Sequence, residues 1–328
     1  MNDETSVASK GNCCSVGSAA PASNDERYMS AALAVAPAAP EVRAELKARL
    51  KPIPGGFFEM GTRKSRFPAD LDSPRRRVKL SPYLISPFTV SNADYARFVA
   101  ATGYRTVAEE EGWSFVFHLF LGEKARAWPG PPGLEWWRAV NGAYWAAPEG
   151  PGSDWTGREN HPAIHIAWYD ALAYCTWAGL RLPTEAEWER AGRGGLANMK
   201  FPWGNVMQPG GEHRMNTWQG TFPVENTAED GFVGTAPVDA FPPNGYGLHN
   251  MTGNVWEWVA DRFGPPDLGH SPLVDPQGPK EGMARIQRGG SYLCHVSYCD
   301  RYHVHSRTGN PPDTSTGNLG FRVAGDPD

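Results

Sequence analysis

Two thiols five positions apart are the residues of this chain best suited to chemistry. Cys294 and Cys299 stand in the run Gly289-Gly290-Ser291-Tyr292-Leu293-Cys294-His295-Val296-Ser297-Tyr298-Cys299-Asp300-Arg301-Tyr302. At that spacing two sulfurs can meet across a tight loop. Three chemistries are then open: a disulfide, a redox dithiol, or two ligands for a soft metal. A two-thiolate site suits Cu(I), whereas Zn2+ asks for four ligands and the sequence offers no obvious further pair. His295, Arg301 and the nearby tyrosine hydroxyls would favour thiolate over thiol. The remaining cysteines differ. Cys175 lies in a helix-patterned apolar stretch and is expected to be a small buried hydrophobe. Cys13 and Cys14 are neighbours in a leader rich in Ser, Ala and Gly. An odd, sparse set of five cysteines without a secretory signal points to a reducing compartment.

The elements that must hold this segment are short. The 328 residues include 37 glycines and 30 prolines, too much backbone punctuation for long helices or a regular parallel sheet. Against that, 13 tryptophans, 11 tyrosines and 14 phenylalanines supply ample apolar surface for a core. We read residues 1–53 as a mobile N-terminal leader with one short helix near Glu41–Leu50, and residues 54–328 as a single loop-rich α+β domain. Three helices carry clear punctuation. Ser91 caps the first, Tyr95, Phe98 and Val99 share its face, and Gly103 stops it. The second runs from Trp168 to Ala178 and stops at Gly179. The third opens at Thr184 with a capping box to Glu187 and ends at Gly192. GGFFEMG and RVKLSPYLIS alternate as strands do. From Phe201 onward, short aromatic runs are separated by turns.

A net charge of −5, from 31 basic and 36 acidic residues, argues against a nucleic-acid-coating protein. No apolar run approaches the roughly 18 residues of a membrane span. The polar, acidic start lacks the pattern of a secretory signal, so we expect a cytoplasmic protein without a membrane. The absence of a long apolar heptad leads us to expect a monomer. No Walker loop, paired zinc CxxC, HExxH or GxSxG motif is present. Arg75–Arg77 reads as solvated surface. His303 and His305 lie near the cysteine segment without an evident carboxylate cluster.

The segment RGGSYLCHVSYCDRY resembles the active-site signature of the formylglycine-generating enzymes, the sulfatase-modifying factors. HPAIHIAWYDALAYCTWAGLRLPTEAEWERAGRGG, FPWGN, WQGTFPVENTAEDGFVGTAPVDAFPPNGYGLHNMTGNVWEWVAD and NLGFRVA resemble that family in the same order. RLPTEAEWE and GNVWEW mark the broad superfamily; the paired cysteines after RGGSY mark the oxidase. The resemblance implies a C-type-lectin-like variant of the α+β class. It implies oxidation of the cysteine of a Cys-X-Pro-X-Arg motif in a nascent sulfatase to Cα-formylglycine, using O2 and a thiol reductant. In this view Cys294 and Cys299 hold Cu(I) and the substrate cysteine joins as a further thiolate. Hydrogen abstraction from its Cβ leads to a thioaldehyde that hydrolyses. Ser291, Tyr298 and Trp256 match positions of the family's reaction pocket. Trp113, Ser114, Phe115, Trp136, Trp137, His295, Arg301 and Asn318 match positions of its peptide groove.

The resemblance also implies structural Ca2+. Asn216, Thr217, Asp230 and Phe232 match one family site, and Asn250, Gly253, Val255 and Glu257 match another, several acting through carbonyl oxygens as a hard cation requires. Where secreted relatives carry disulfides only Cys175 remains, with Ala191, Val304 and Val323 at the other positions, in keeping with a cytoplasmic protein. Family members often have an acidic residue where Trp113 stands. Two alternatives come from other classes: a non-catalytic, calcium-dependent lectin-like binding domain, and a sulfoxide synthase of the same superfamily. The second would want an iron site from an added helical domain, for which residues 1–53 are too short.

Overall fold

The computed structural model describes residues 22–269 and 271–328, so Cys13 and Cys14 lie outside the described residues. The chain opens with helices α1 (Ala22–Leu33) and α2 (Pro40–Ala48) and strands β1 (Lys51–Ile53), β2 (Gly56–Met60), β3 (Arg76–Leu80) and β4 (Tyr83–Ile85). Helices α3 (Asn92–Thr102) and α4 (Val107–Glu111), strand β5 (Trp113–Phe117), helix α5 (Glu123–Arg126) and strand β6 (Trp137–Asn141) follow. Then come α6 (Trp168–Ala178) and α7 (Glu185–Gly192). The rest is loop and short strand: β7 (Gly220–Thr221), β8 (Glu225–Asn226), β9 (Trp256–Arg262), β10 (Leu273–Val274), β11 (Arg285–Arg288), β12 (Arg307–Asn310), β13 (Leu319–Phe321) and β14 (Ala324–Gly325).

The three expected helices form where capping chemistry allows. Ser91 Oγ accepts from the Asp94 N–H at 3.1 Å, and α3 ends at Gly103 with φ 64°. Thr184 and Glu187 form the reciprocal box at the start of α7, with the Thr184 N–H donating to Glu187 at 2.7 Å. At α6 the capping oxygen is Asp170, which accepts from the Ala167 N–H at 2.8 Å. Each cap satisfies donors that the first helical turn leaves open. Helix α6 is buried on nearly every side and forms the centre of the main core with Tyr95, Phe98 and Phe321.

The described part of the expected leader is folded rather than loose. Tyr28 and Ala32, one helical turn apart on α1, are buried against the core that contains α6, and Leu46 of α2 joins them. The short helix expected near Glu41–Leu50 is α2. Residue 53 is therefore not where packing begins.

Strand β9 organises the second half. It runs antiparallel to β11, with Glu257 opposite Arg288, and parallel to β13, with Leu319 opposite Trp256. Buried ion pairs line its flank. Arg322 grips Glu257 at 2.6 and 2.7 Å, and the Trp188 indole donates to the same carboxylate at 2.7 Å. Strands β5 and β6 form a separate antiparallel pair, Phe117 opposite Trp137. No helix among the described residues is long and apolar enough to cross a membrane.

Candidate functional site

The two thiols meet. Cys294 and Cys299 are 1% and 0% exposed, and their sulfurs stand 2.7 Å apart with no disulfide between them. A five-residue turn brings them together. The N–H groups of Tyr298, Cys299 and Asp300 all point at the His295 carbonyl, each at 3.0 Å. Asp300 takes φ 48°, which reverses the chain behind the second thiol. Gly290 (φ +76°) makes the approach to this turn: a Cβ there would lie 2.9 Å from the Arg301 carbonyl oxygen. A side chain would force the Gly-Gly-Ser strand end away from residues 301 and 302.

Burial alone would push the Cys294 thiol up. The hydrogen bond from Cys299, the Ser291 N–H at 3.4 Å and the Arg301 charge outweigh burial and leave it below the ordinary thiol value. Among the described residues no group of three or more His, Cys, Asp or Glu is placed to hold a metal, so a four-ligand zinc centre has no donor set. A pair of adjacent buried thiols fits a soft ion of low coordination number such as Cu(I).

Of the expected pocket residues, Ser291 touches Cys294 and Trp256 lies in the same buried cluster, and Asn318, expected in the groove, joins them. Asn318 Nδ2 donates to Ser291 Oγ at 2.9 Å, and the Trp256 N–H donates to the Asn318 carbonyl at 2.9 Å. Trp256 shares the buried cluster of both cysteines, and its indole N–H has no hydrogen-bond partner. Tyr298 forms an aromatic wall with two neighbours. Its ring stacks on Phe222 at 4.4 Å and meets the edge of Trp136 at 4.5 Å. Phe222 also touches Trp218, edge to face at 5.2 Å. Neither Phe222 nor Trp218 is singled out by sequence reasoning; an aromatic preceding Pro223 in the otherwise polar run QGTFPVEN is the available signal.

The expected groove residues divide. Trp113, Phe115, Trp136 and Trp137 lie in one cluster with Tyr292 and Leu293, directly before Cys294. Trp113 and Trp136 are half-buried and Trp137 is fully buried. Ser114 is turned away from any groove, because alternate residues of a strand face opposite sides. It is fully buried and bonds to His165 Nδ1 at 2.7 Å and Ser315 Oγ at 2.8 Å. Arg301 is also buried, held by both oxygens of Asp70 at 2.6 and 2.8 Å. His295 is half-buried beside Ser297. The rings of His303 and His305 stack in parallel at 5.4 Å, and His305 pairs with Asp72 at 2.9 Å.

The two expected calcium sets differ in the same way. Asn216 Oδ1 is buried and unpartnered, and Asp230 is half-exposed and accepts from the Thr217 and Phe232 N–H groups at 2.9 and 3.0 Å and from Gln219 Nε2 at 2.9 Å, with no cationic side chain among the described residues on it. That set has oxygen to offer a hard cation. In the other set Asn250 Oδ1 is likewise buried and unpartnered, but the Glu257 carboxylate is already met by Arg322 and Trp188. The cation that a buried Glu257 requires is a guanidinium in this fold.

Residues 38–327 match the sulfatase-modifying factor enzyme 1-like domain. The chain is similar to the formylglycine-generating enzyme of Thermomonospora curvata, 56% identical over 286 residues that cover 84% of this chain and 92% of that one. It is also similar, at 44% over 277 residues covering 83% and 86%, to a Bos taurus protein named inactive C-alpha-formylglycine-generating enzyme 2. Among solved structures, PvdO from Pseudomonas aeruginosa shares the fold with a TM-score of 0.60 at 23% identity, covering 85% of this chain and 94% of that one. The loop-rich α+β, C-type-lectin-like class expected from the sequence is the class found.

Proposed function

The chain belongs to the sulfatase-modifying factor family, and from that membership we propose that it is an oxidase converting the cysteine of a Cys-X-Pro-X-Arg motif in a sulfatase polypeptide to Cα-formylglycine. The observation that carries the proposal is the pair of buried, unbridged thiols of Cys294 and Cys299, 2.7 Å apart and bordered by Ser291 and Asn318. A relative that is 44% identical is named inactive, so family membership alone does not decide activity; the thiol pair is what supports an active enzyme here.

The pair would hold Cu(I), whose chemistry there is activation of O2. The protein's own groups do the rest. The wall of Tyr298, Phe222 and Trp136 offers faces and edges against which an extended peptide packs and sheds water. Trp256 belongs to the same buried cluster as both cysteines, and its indole N–H, buried without a partner, is the donor this reading assigns to the reaction pocket. Asn318 fixes the Ser291 hydroxyl through Nδ2, with its own Oδ1 held by Thr316 at 2.7 Å. Overall, O2 takes four electrons and becomes two waters. Two electrons come from the substrate's Cβ–H and S–H, and two from a thiol reductant. The thioaldehyde that remains is hydrolysed, releasing sulfide and leaving the aldehyde.

We further take the enzyme to be a cytoplasmic monomer with one calcium ion at Asn216, Thr217, Asp230 and Phe232. The unpartnered Asn216 oxygen and the accessible Asp230 carboxylate support that site over the one at Asn250, Gly253, Val255 and Glu257.

The test is mass spectrometry of a Cys-X-Pro-X-Arg peptide incubated in air with Cu(I)-loaded protein and a thiol reductant. Replacement of sulfur by an aldehyde oxygen is expected with the intact pair and not with Cys294→Ser/Cys299→Ser. Equal conversion by that double variant would sink the proposal. Copper loading without conversion would point to an altered substrate motif, with Trp113 the first suspect; neither conversion nor copper binding would favour a non-catalytic binding domain.

A further inference from the structure

The β2–β3 connection is longer than its topology requires. The two strands pair antiparallel out to Met60 opposite Arg76, which leaves residues 61–75 as the connecting loop. Hairpin loops commonly need two to five residues. The extra chain crosses to the turn that carries the thiols and is tied there at four points. Arg66 pairs with Asp300 and donates to the Val296 carbonyl. The Phe67 ring lies under the Arg301 guanidinium at 4.1 Å. Asp70 holds that guanidinium through both oxygens, and Asp72 pairs with His305.

Asp70 is the contact that leads to sulfur. It is 1% exposed and its partner Arg301 is 4% exposed, so neither charge has water to fall back on. Arg301 in turn touches both cysteines. Its guanidinium donates to the Cys299 carbonyl at 3.3 Å, and its backbone N–H hydrogen-bonds Cys294. Gly290 packs against its carbonyl. One residue thus bridges the two ends of the turn, and a carboxylate from a distant loop fixes that residue. This is the arrangement by which outer groups orient the ligands of a metal site.

We propose that Asp70 is a positioning residue for the thiol pair, acting through Arg301 to hold the Cys294–Cys299 turn in its closed form. The proposal rests on the assignment of these two cysteines as the reacting site. It concerns the geometry of the thiols and can be read without metal.

The experiment uses the full-length protein with Asp70→Asn, Asp70→Glu and the wild type. Slow alkylation of each cysteine in the metal-free protein is followed by peptide mass spectrometry, with Cys175 as the internal control. Cys175 is as buried as Cys294, 1% exposed, but sits in α6, outside the turn that Asp70 and Arg301 hold. Asp70→Asn is expected to raise alkylation of Cys294 and Cys299 by about tenfold or more and to leave Cys175 unchanged, because the turn opens locally. Asp70→Glu, which keeps the charge, should restore part of the protection. The Cu(I) affinity of Asp70→Asn, measured by competition with a chelator, should fall by about 10- to 100-fold. A parallel rise at all three cysteines, or no rise at any, would overturn the proposal, since Asp70 would then act on stability alone or not at all. Failure of the wild type to bind Cu(I) would instead remove the metal from the proposed function, while the alkylation pattern still decides the role of Asp70.

Discussion

Cys175 and Cys294 are equally buried, each 1% exposed, and their thiols are driven in opposite directions. For Cys175 burial pushes the thiol far above its ordinary value, and the charge of Arg181 does little against it. For Cys294 the same burial is outweighed by the Cys299 thiol, the Ser291 N–H and Arg301. Backbone form explains the difference. Inside α6 each N–H beyond the first turn is spent on the carbonyl four residues back, so none is left to solvate a thiolate. In the turn after Gly290 the chain is irregular, and its N–H groups can be aimed at sulfur. A loop is therefore the place to build a reactive buried thiol, and a helix interior is the place to keep one inert.

The largest test of that contrast is to make the same change in both places. Cys294→Ser should reduce peptide conversion to background. Cys175→Ser should leave kcat within about twofold and lower stability by about 1–3 kcal/mol, because a hydroxyl costs more to bury than a thiol on an apolar helix face, even with the carbonyl one turn back as acceptor. Peptide mass spectrometry reads the first quantity and urea unfolding the second. Loss of turnover in the Cys175 variant at unchanged folded fraction would break the comparison.

The same contrast recurs between two buried carboxylates. Burial pushes Asp170 up to about 7, against the neutral Val107 and Ala167 N–H groups and the Tyr104 hydroxyl. Burial also acts on Glu189, but the Arg193 and Arg288 charges prevail and hold it at about 2. The pH consequences have opposite sign. Below its ordinary value of 4.5, Glu189 is protonated in the unfolded chain but not in the folded one. Its contribution, on the order of 3 kcal/mol, is complete above that pH and is lost as pH falls toward 2. Asp170 takes up its proton more readily when folded, so its contribution is greatest below pH 3.8 and declines as pH rises through about 7. Urea midpoints from pH 3 to pH 8 should show a shallower acid loss in Glu189→Gln and a flatter neutral range in Asp170→Asn. Parallel profiles for both variants would show that charge pairing does not separate the two sites.

The helical half of the molecule was legible because its causes are local. Ser91, Thr184, Gly103 and Gly179 sit within one turn of the helix ends they decide. The thiol pair was legible by type and spacing, and the family signature around it supplied the rest. What escaped depends on residues far apart in the chain. Asp70 reaches Arg301 across 231 positions, and Phe222 reaches Tyr298 from a different loop. The strand alternation that turns Ser114 toward His165 requires knowing that β5 begins at Trp113. The folding of α1 against α6 escaped because an alanine-rich leader shows little apolar periodicity until a partner face is present.

The smallest expected effect sharpens the comparison from the helical side. Ser91→Ala removes the one side-chain oxygen that meets the Asp94 N–H at the start of α3. Loss of such a cap typically costs about 1 kcal/mol. Helix α3 packs Tyr95 and Phe98 into the core around α6, the same buried cluster that both thiols join. The thiol turn takes its own bonds from His295, Ser291 and Arg301, none of which belongs to α3. Ser91→Ala should therefore lower the urea midpoint while leaving kcat/KM for the peptide unchanged in the folded protein. The alkylation rate of Cys294 should also stay at its wild-type value under conditions where global unfolding is negligible. A rise in that rate matching the lost stability would mean that the turn opens only when the whole domain does. The reactive loop and the helical core would then be one cooperative unit, not two regions with separate stabilities.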